Sequence, residues 1–195
     1  ACGIGNPALN NVSIITDSTE RVRVNSTGDV GIGVTPTAGN GCLQLSSGIN
    51  FPATQVASAN ANTLDDYEEG TWTIGLTFGG GNTSLTTSSN SGGYTKVGRK
   101  VTVTGYLALT AKGTSTGLAS ITGLPFTIGS AANNYSAVSL YVVAITFADY
   151  PMGYGTVGTT NIVLQEVTNA GVRTNITDAD FANNSEIIFS LTYNV

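Results

Sequence analysis

Twelve carboxylates and no histidine set the limits of the chemistry open to this chain. The missing imidazole removes the commonest general base, the Ser-His-Asp arrangement and the usual zinc ligand set. Cys2 and Cys42 stand forty residues apart and make no metal site. Carboxylates remain, and a pair of them flanking a glycosidic bond is one route to cleaving a sugar chain. The densest group is Asp65, Asp66, Glu68 and Glu69 in "LDDYEEG". Alternate residues of an extended segment share a side, so Asp66 and Glu68 would converge. The plainer expectation is a solvated acidic linker, able to meet Arg or Lys of a neighbouring chain. Asp178 and Asp180 in "TNITDADFANNSE" form a second oxygen-rich stretch. It lacks the glycine and terminal Glu of an EF-hand loop, so a plain turn is expected, with no metal and no cofactor.

The segment "FADYPMGYG" offers different chemistry. Asp149, Tyr150 and Tyr154 are expected on an exposed loop with Pro151, Gly153 and Gly155. Tyrosine rings give sugar C–H patches a surface to stack on, and a carboxylate accepts hydrogen bonds from sugar hydroxyls. These three residues are the candidate binding site, with a packed corner under the loop as the plainer expectation. "GNTSLTTSSNSGG" at 81–93 has glycines but no Lys following a strand, so it is not a phosphate loop and reads as a long hairpin loop. No residue is assigned a catalytic role, and the chain is not expected to be an enzyme.

The elements that must position these residues are strands. "VSIIT", "ERVRV", "DVGIGV" and "CLQLS" occupy the first fifty residues, with Gly28 free to take a positive φ in the turn "NSTG". Further on, "TWTIGLTF", "KVTVTGYLALT", "TNIVLQEV" and "EIIFSLTYNV" alternate apolar and polar residues. Val101, Val103, Leu107 and Leu109 share one face, as do Ile187, Phe189, Leu191, Tyr193 and Val195. Trp72 alternates with Ile74 and Leu76 and is expected in the core. "AVSLYVVAITF" at 137–147 is apolar on both faces, which fits a central strand or one at a subunit contact. The best helical stretch, at 52–70, supports a turn or two. Strands at this spacing joined by Gly, Ser and Asn turns make an all-β chain of sandwich or jelly-roll type.

Composition agrees and also excludes. Of 195 residues 41% are hydrophobic, enough for a core, while only 10% are charged. Thr, Ser, Asn and Gly take the remaining surface, and Thr suits a pleated strand that faces water. The net charge of −5, with seven basic residues, argues against nucleic acid as a partner. No apolar run nears the roughly 20 residues that span a bilayer, so no membrane insertion is expected. The N-terminus "ACGIGNPALNN" has neither the basic nor the apolar region of a signal peptide, and without an initiator Met the chain is read as a fragment or processed product. Cys42, next to Leu43, is expected to be half-buried, and whether it pairs with Cys2 stays open.

Two halves are expected, residues 1–62 and residues 63–195. The first fifty residues contain no Phe, Trp or Tyr. Such a segment cannot bury enough surface to fold as an independent monomer. Its apolar stripe, Val22, Val24, Val30 and Ile32, therefore needs cover from elsewhere, and identical chains winding together supply it without a free sheet edge.

"ERVRVNSTGDVGIGVTPTAG" resembles a repeat of bacteriophage tail fibre and tailspike proteins. That repeat has a Glu-Arg-hydrophobic-Arg-hydrophobic strand followed by Ser-x-Gly-x-Val-Gly-Ile-Gly-x-x-x-Pro. Glu20, Arg21, Arg23, Gly28, Val30, Gly31, Ile32, Gly33 and Pro36 match it. "LDDYEEGTWT", "GGYTKVGRKVTVTGYLALT", "ITGLPF" and "EIIFSLTY" are similar, in that order, to terminal domains of phage fibres, so the resemblance covers most of residues 20–195. It implies an intertwined homotrimer in the virion, with a short β shaft leading into an antiparallel, jelly-roll-like β-sandwich head. Val22, Val24, Val30 and Ile32 would then hold three copies in register. The resemblance further implies attachment of the N-terminal side to other tail or head proteins, and binding of the head to a host-surface receptor, a glycan or a protein. A connector or head-decorating fibre without receptor binding shares these features. A glycan-degrading tailspike would need a long parallel β-helix, for which the chain is too short. Many relatives continue into a self-cleaving chaperone domain with a Ser-Asp-x-Arg-x-Lys type motif, and this sequence contains none.

Overall fold

The computed structural model describes residues 11–37, 39, 41–52, 60, 63, 64 and 66–195. Cys2, Asp65 and most of the 52–70 stretch read as weakly helical lie outside them. The described residues are all-β, apart from single 3-10 turns at Ala132–Asn134 and Asp178–Asp180. The chain divides into two compact units, Ala1–Asn50 and Phe51–Val195.

The first unit is a four-stranded sheet of β1 (Val12–Thr16), β2 (Thr19–Val24), β3 (Val30–Ile32) and β4 (Leu43–Leu45), in that order. The first two contacts are antiparallel and the last is parallel. Asp17 and Ser18, with φ of 53° and 57°, form the tight two-residue turn between β1 and β2. Gly28 takes the expected positive φ of 84°. Gly31 is required for a different reason: a Cβ there would lie 2.2 Å from the Val34 carbonyl oxygen and 2.7 Å from Pro36 Cδ. The segment after β3 therefore folds back onto bare backbone. Asp29 fastens this bend. Its buried carboxylate accepts hydrogen bonds from Asn25 Nδ2 (2.9 Å), Thr27 Oγ1 (2.8 Å) and the amides of Gly39 (2.7 Å) and Cys42 (2.9 Å). Cys42 itself is exposed and carries a free thiol, not the half-buried one expected, because β4 begins only at the following residue.

The second unit contains two antiparallel sheets. Its strands are β5 (Tyr67–Thr73), β6 (Gly75–Phe78), β7 (Thr86–Val97), β8 (Lys100–Ala111), β9 (Ala119–Thr122), β10 (Ser136–Ala137), β11 (Ser139–Ile145), β12 (Tyr150–Gly155), β13 (Ile162–Val167), β14 (Arg173–Asn175) and β15 (Phe181–Asn194). One sheet has the order β11-β15-β8-β7-β5. The other has the order β10-β12-β13-β9-β6, with β14 also paired to β13. Both contribute to one core, in which Val103, Leu107, Phe189 and Leu191 of the first sheet pack with Leu76, Ile121, Ile162 and Leu164 of the second. The arrangement is β-sandwich-like. Alternation carries it: over residues 100–107 of β8 and 187–193 of β15 every second residue is buried and those between face out.

Four sequence expectations change. "TWTIGLTF" is not one strand, because the chain turns at Ile74 from the first sheet into the second while Trp72, Ile74, Leu76 and Phe78 all stay buried. The 137–147 stretch likewise divides between β10 and β11, in different sheets, with β11 at a sheet edge and not central. The Gly/Ser/Thr-rich 81–93 segment is a loop only as far as Leu85. From Thr86 it is β7, whose hydrogen-bonding partners on both sides hold it extended without an apolar alternation. "FADYPMGYG" is mostly strand β12. Pro151 is tolerated there because β10 pairs only with Tyr154 and Gly155, leaving the edge beside Pro151 open.

Candidate functional site

The first candidate surface is one face of the four-stranded sheet. Cross-strand register aligns Val12, Val24, Val30 and Leu43 in one row, and Ile14, Val22, Ile32 and Leu45 in the next. Residues two apart share a face, so these eight aliphatic side chains lie together. None is buried, and Ile32 and Leu43 are 44% and 59% exposed. The expected stripe Val22, Val24, Val30 and Ile32 forms the two middle strands of this patch. Arg21 and Arg23 both find partners on the strands of this sheet. Arg23 forms an ion pair with Glu20 (2.6 Å), whose carboxyl its hydrogen bond holds below the ordinary range, and Arg21 Nε donates to Thr16 Oγ1 (3.0 Å).

A second surface, on the outer side of the five-stranded sheet, was not legible in the sequence. A groove of about 740 Å³ crosses it. Its register rows are Tyr141–Ile188–Tyr106–Ser91 and Ser139–Ser190–Thr104–Gly93. No charged side chain lines it, and Tyr141 is 63% exposed. Glu186 at its margin accepts a hydrogen bond from the Tyr106 hydroxyl (2.9 Å), which raises the phenol pKa above its ordinary value.

The third surface holds the residues singled out for sugar binding. Alternation on β12 turns Gly153 and Gly155 inward and Tyr150, Met152 and Tyr154 outward. Asp149 precedes the strand, half-buried. Tyr154 stands 5.8 Å, ring centre to ring centre, from Tyr135, which the sequence reading did not single out. These two rings, Ser136, Ala137 and Arg173 line a depression of about 430 Å³. Tyr135 and Arg173 lie 19 residues before and after Tyr154 (154 − 135 and 173 − 154), so only the pairing of β10, β12, β13 and β14 unites them.

The acidic segment is not the solvated linker expected. Asp66 is buried against Lys96, and its carbonyl accepts the Gly98 amide (2.9 Å). Glu68 accepts the Tyr94 hydroxyl (2.5 Å) and Glu69 that of Tyr67 (2.7 Å), and each bond raises the pKa of its phenol. Asp66 and Glu68 are thus committed to Lys96 and Tyr94. Asp178 and Asp180 form the expected turn. Thr177 is its N-cap, with Asp180 Oδ2 accepting the Thr177 amide (2.7 Å), Asp178 Oδ1 accepts the Gly117 amide (2.7 Å), and the described residues contain no cluster of metal-ligating side chains. No described helix is long and apolar enough to cross a membrane.

Neither known protein families nor curated proteins give a match to this sequence.

Proposed function

We propose that this chain is a virion appendage protein, an intertwined homotrimeric fibre with a short β shaft and a jelly-roll-like sandwich head. The head attaches the particle to a host-surface receptor, a glycan. The observation that carries this reading is the eight-residue aliphatic face of the first unit, none of which is fully buried by the described residues. Burying such side chains is worth on the order of 10 kcal/mol per chain, comparable to the whole stability of a small domain. A small sheet with such a face left partly in water lacks a full core, so further cover must be present when it folds. Copies of the same chain meet that condition.

The uncharged outer groove of the five-stranded sheet is a second contact between copies. Close to a threefold axis the counterparts of one residue approach one another, and like charges there would repel. Tyr141, Ile188 and Tyr106 bring apolar area and no charge, which also accounts for an edge strand β11 that is apolar on both faces. With these two faces taken, the outward tyrosines of β12 remain for the receptor. The resemblance of residues 20–36 to the phage fibre repeat supports placing the chain on a virion. The test is immunogold labelling of particles together with competition by the soluble protein for host attachment. Label at the tip of an appendage and reduced attachment support the reading. Label at an internal joint, with attachment unchanged, would replace it with a connector.

A further inference from the structure

We infer that the depression between Tyr135 and Tyr154 binds a carboxylate-bearing sugar through Arg173. This rests on the proposed glycan attachment and names its chemical class. The chain has only seven cationic side chains, and most are engaged. Arg23 and Lys96 form ion pairs, Lys112 Nζ donates to the Asp178 carbonyl (2.7 Å), and Arg21 bonds to Thr16. Arg173 is exposed on β14, with no hydrogen bond or ion pair to its guanidinium among the described residues, and it lines the same depression as two tyrosine rings. Its backbone partner on β13 is Val167, and Val167 pairs in turn with Tyr150, so the row that carries Arg173 ends in a ring that is 60% exposed.

Glu166, one position before Val167 on β13, forms no ion pair with it. Glu166 accepts from Thr174 Oγ1 (2.9 Å) and from the Ala148 amide (2.6 Å), so its oxygens are committed along the neighbouring row. What remains is a fork of guanidinium donors beside aromatic faces and the Ser136 hydroxyl. A guanidinium matches a carboxylate in two parallel hydrogen bonds, and tyrosine faces take the C–H side of a pyranose ring. A uronic or sialic acid supplies both groups in one residue. A neutral sugar leaves the guanidinium unused, and a small anion leaves the rings unused.

The test is direct binding of the full-length assembly to oligogalacturonate and to N-acetylneuraminyl-lactose, with galactose oligomers and lactose as neutral counterparts. Carboxylated probes should bind at least about tenfold more tightly than the neutral ones, the worth of one charge-assisted hydrogen bond. Added salt should reduce that preference. Arg173→Gln should remove the preference and leave the weak neutral binding, and Arg173→Lys should restore only part of it because the fork is gone. Tyr154→Ala should weaken both classes. Equal binding of neutral and carboxylated sugars, indifferent to Arg173→Gln, would overturn the inference while leaving glycan attachment standing. No binding of either class would overturn both. Arg173 is exposed, so its variants keep the fold, and an unchanged far-ultraviolet circular dichroism spectrum verifies this.

Discussion

Replacing Lys96 with Met should destabilise the sandwich far more than replacing Lys96 and Asp66 together. The side chains of Lys96 and Asp66 are only 6% and 7% exposed, and they meet where β5 begins beside β7. Lys96 Nζ also lies 5.3 Å from the centre of the Phe126 ring, which packs edge-on against Tyr94. Removing the ammonium alone strands a carboxylate in an apolar corner. A buried charge deprived of its partner typically costs about 3–5 kcal/mol, whereas exchanging a whole buried pair for apolar residues of similar volume is often close to neutral. For a unit of this size each kcal/mol moves Tm by roughly 2–4 °C, so Lys96→Met should lower Tm by about 6–20 °C. Lys96→Met/Asp66→Leu should recover most of that loss. The assay is thermal unfolding of the two single variants and the double variant at one fixed protomer concentration, because association shifts the apparent stability. A single variant within about 1 kcal/mol of the parent, or a double variant as unstable as the sum of the singles, would refute the reasoning.

Two further outcomes follow from buried polar groups. Asp29→Ala removes the charged acceptor of the Gly39 and Cys42 amides in the bend after β3, at about 1.5–3 kcal/mol for each hydrogen bond lost. Limited proteolysis should then cut first within residues 25–45, and a cleavage pattern like the parent's would contradict this. Burial pushes the Tyr193 phenol up to about 12, and its hydroxyl donates to the Phe126 carbonyl (3.0 Å). The folded state therefore holds that proton longer than the unfolded chain, whose phenol titrates near 10. The stability it provides is complete below about pH 10 and is lost as pH rises through about 12. Tyr67, Tyr94 and Tyr106, raised by their bonds to glutamates, act in the same direction. Tyr193→Phe should shallow the alkaline loss seen in urea midpoints between pH 9 and 12, and an unchanged slope would exclude Tyr193 as a cause.

Strands buried on one face were legible. On β8 and β15, and at Trp72, the alternation of apolar and polar residues is the imprint of one wet face and one dry one. The aliphatic stripe of the first unit was legible for the same reason, as were the turn at Gly28 and the turn at Asp178. The pairing of strands distant in sequence was not. β7 carries Thr, Ser, Asn and Gly where a pattern would be sought, and it is extended because β5 and β8 pair with its two edges. Neither alternation nor composition marks Ile74 as the corner between two sheets, since its side chain stays inward on both sides of the turn. Tyr154 was singled out by its type, but Tyr135 and Arg173 join it only through three strand pairings. The ion pair of Asp66 was missed because adjacent acids in a polar segment look solvated until Lys96 is brought against them.

The central claim is that the aliphatic face of the first unit is covered by further copies of the same chain. Sedimentation equilibrium of the full chain tests it most directly. Three interwound copies should sediment as one species at three times the 19.9 kDa chain mass, persisting at micromolar dilution. A single species at 19.9 kDa with a folded first unit would contradict it.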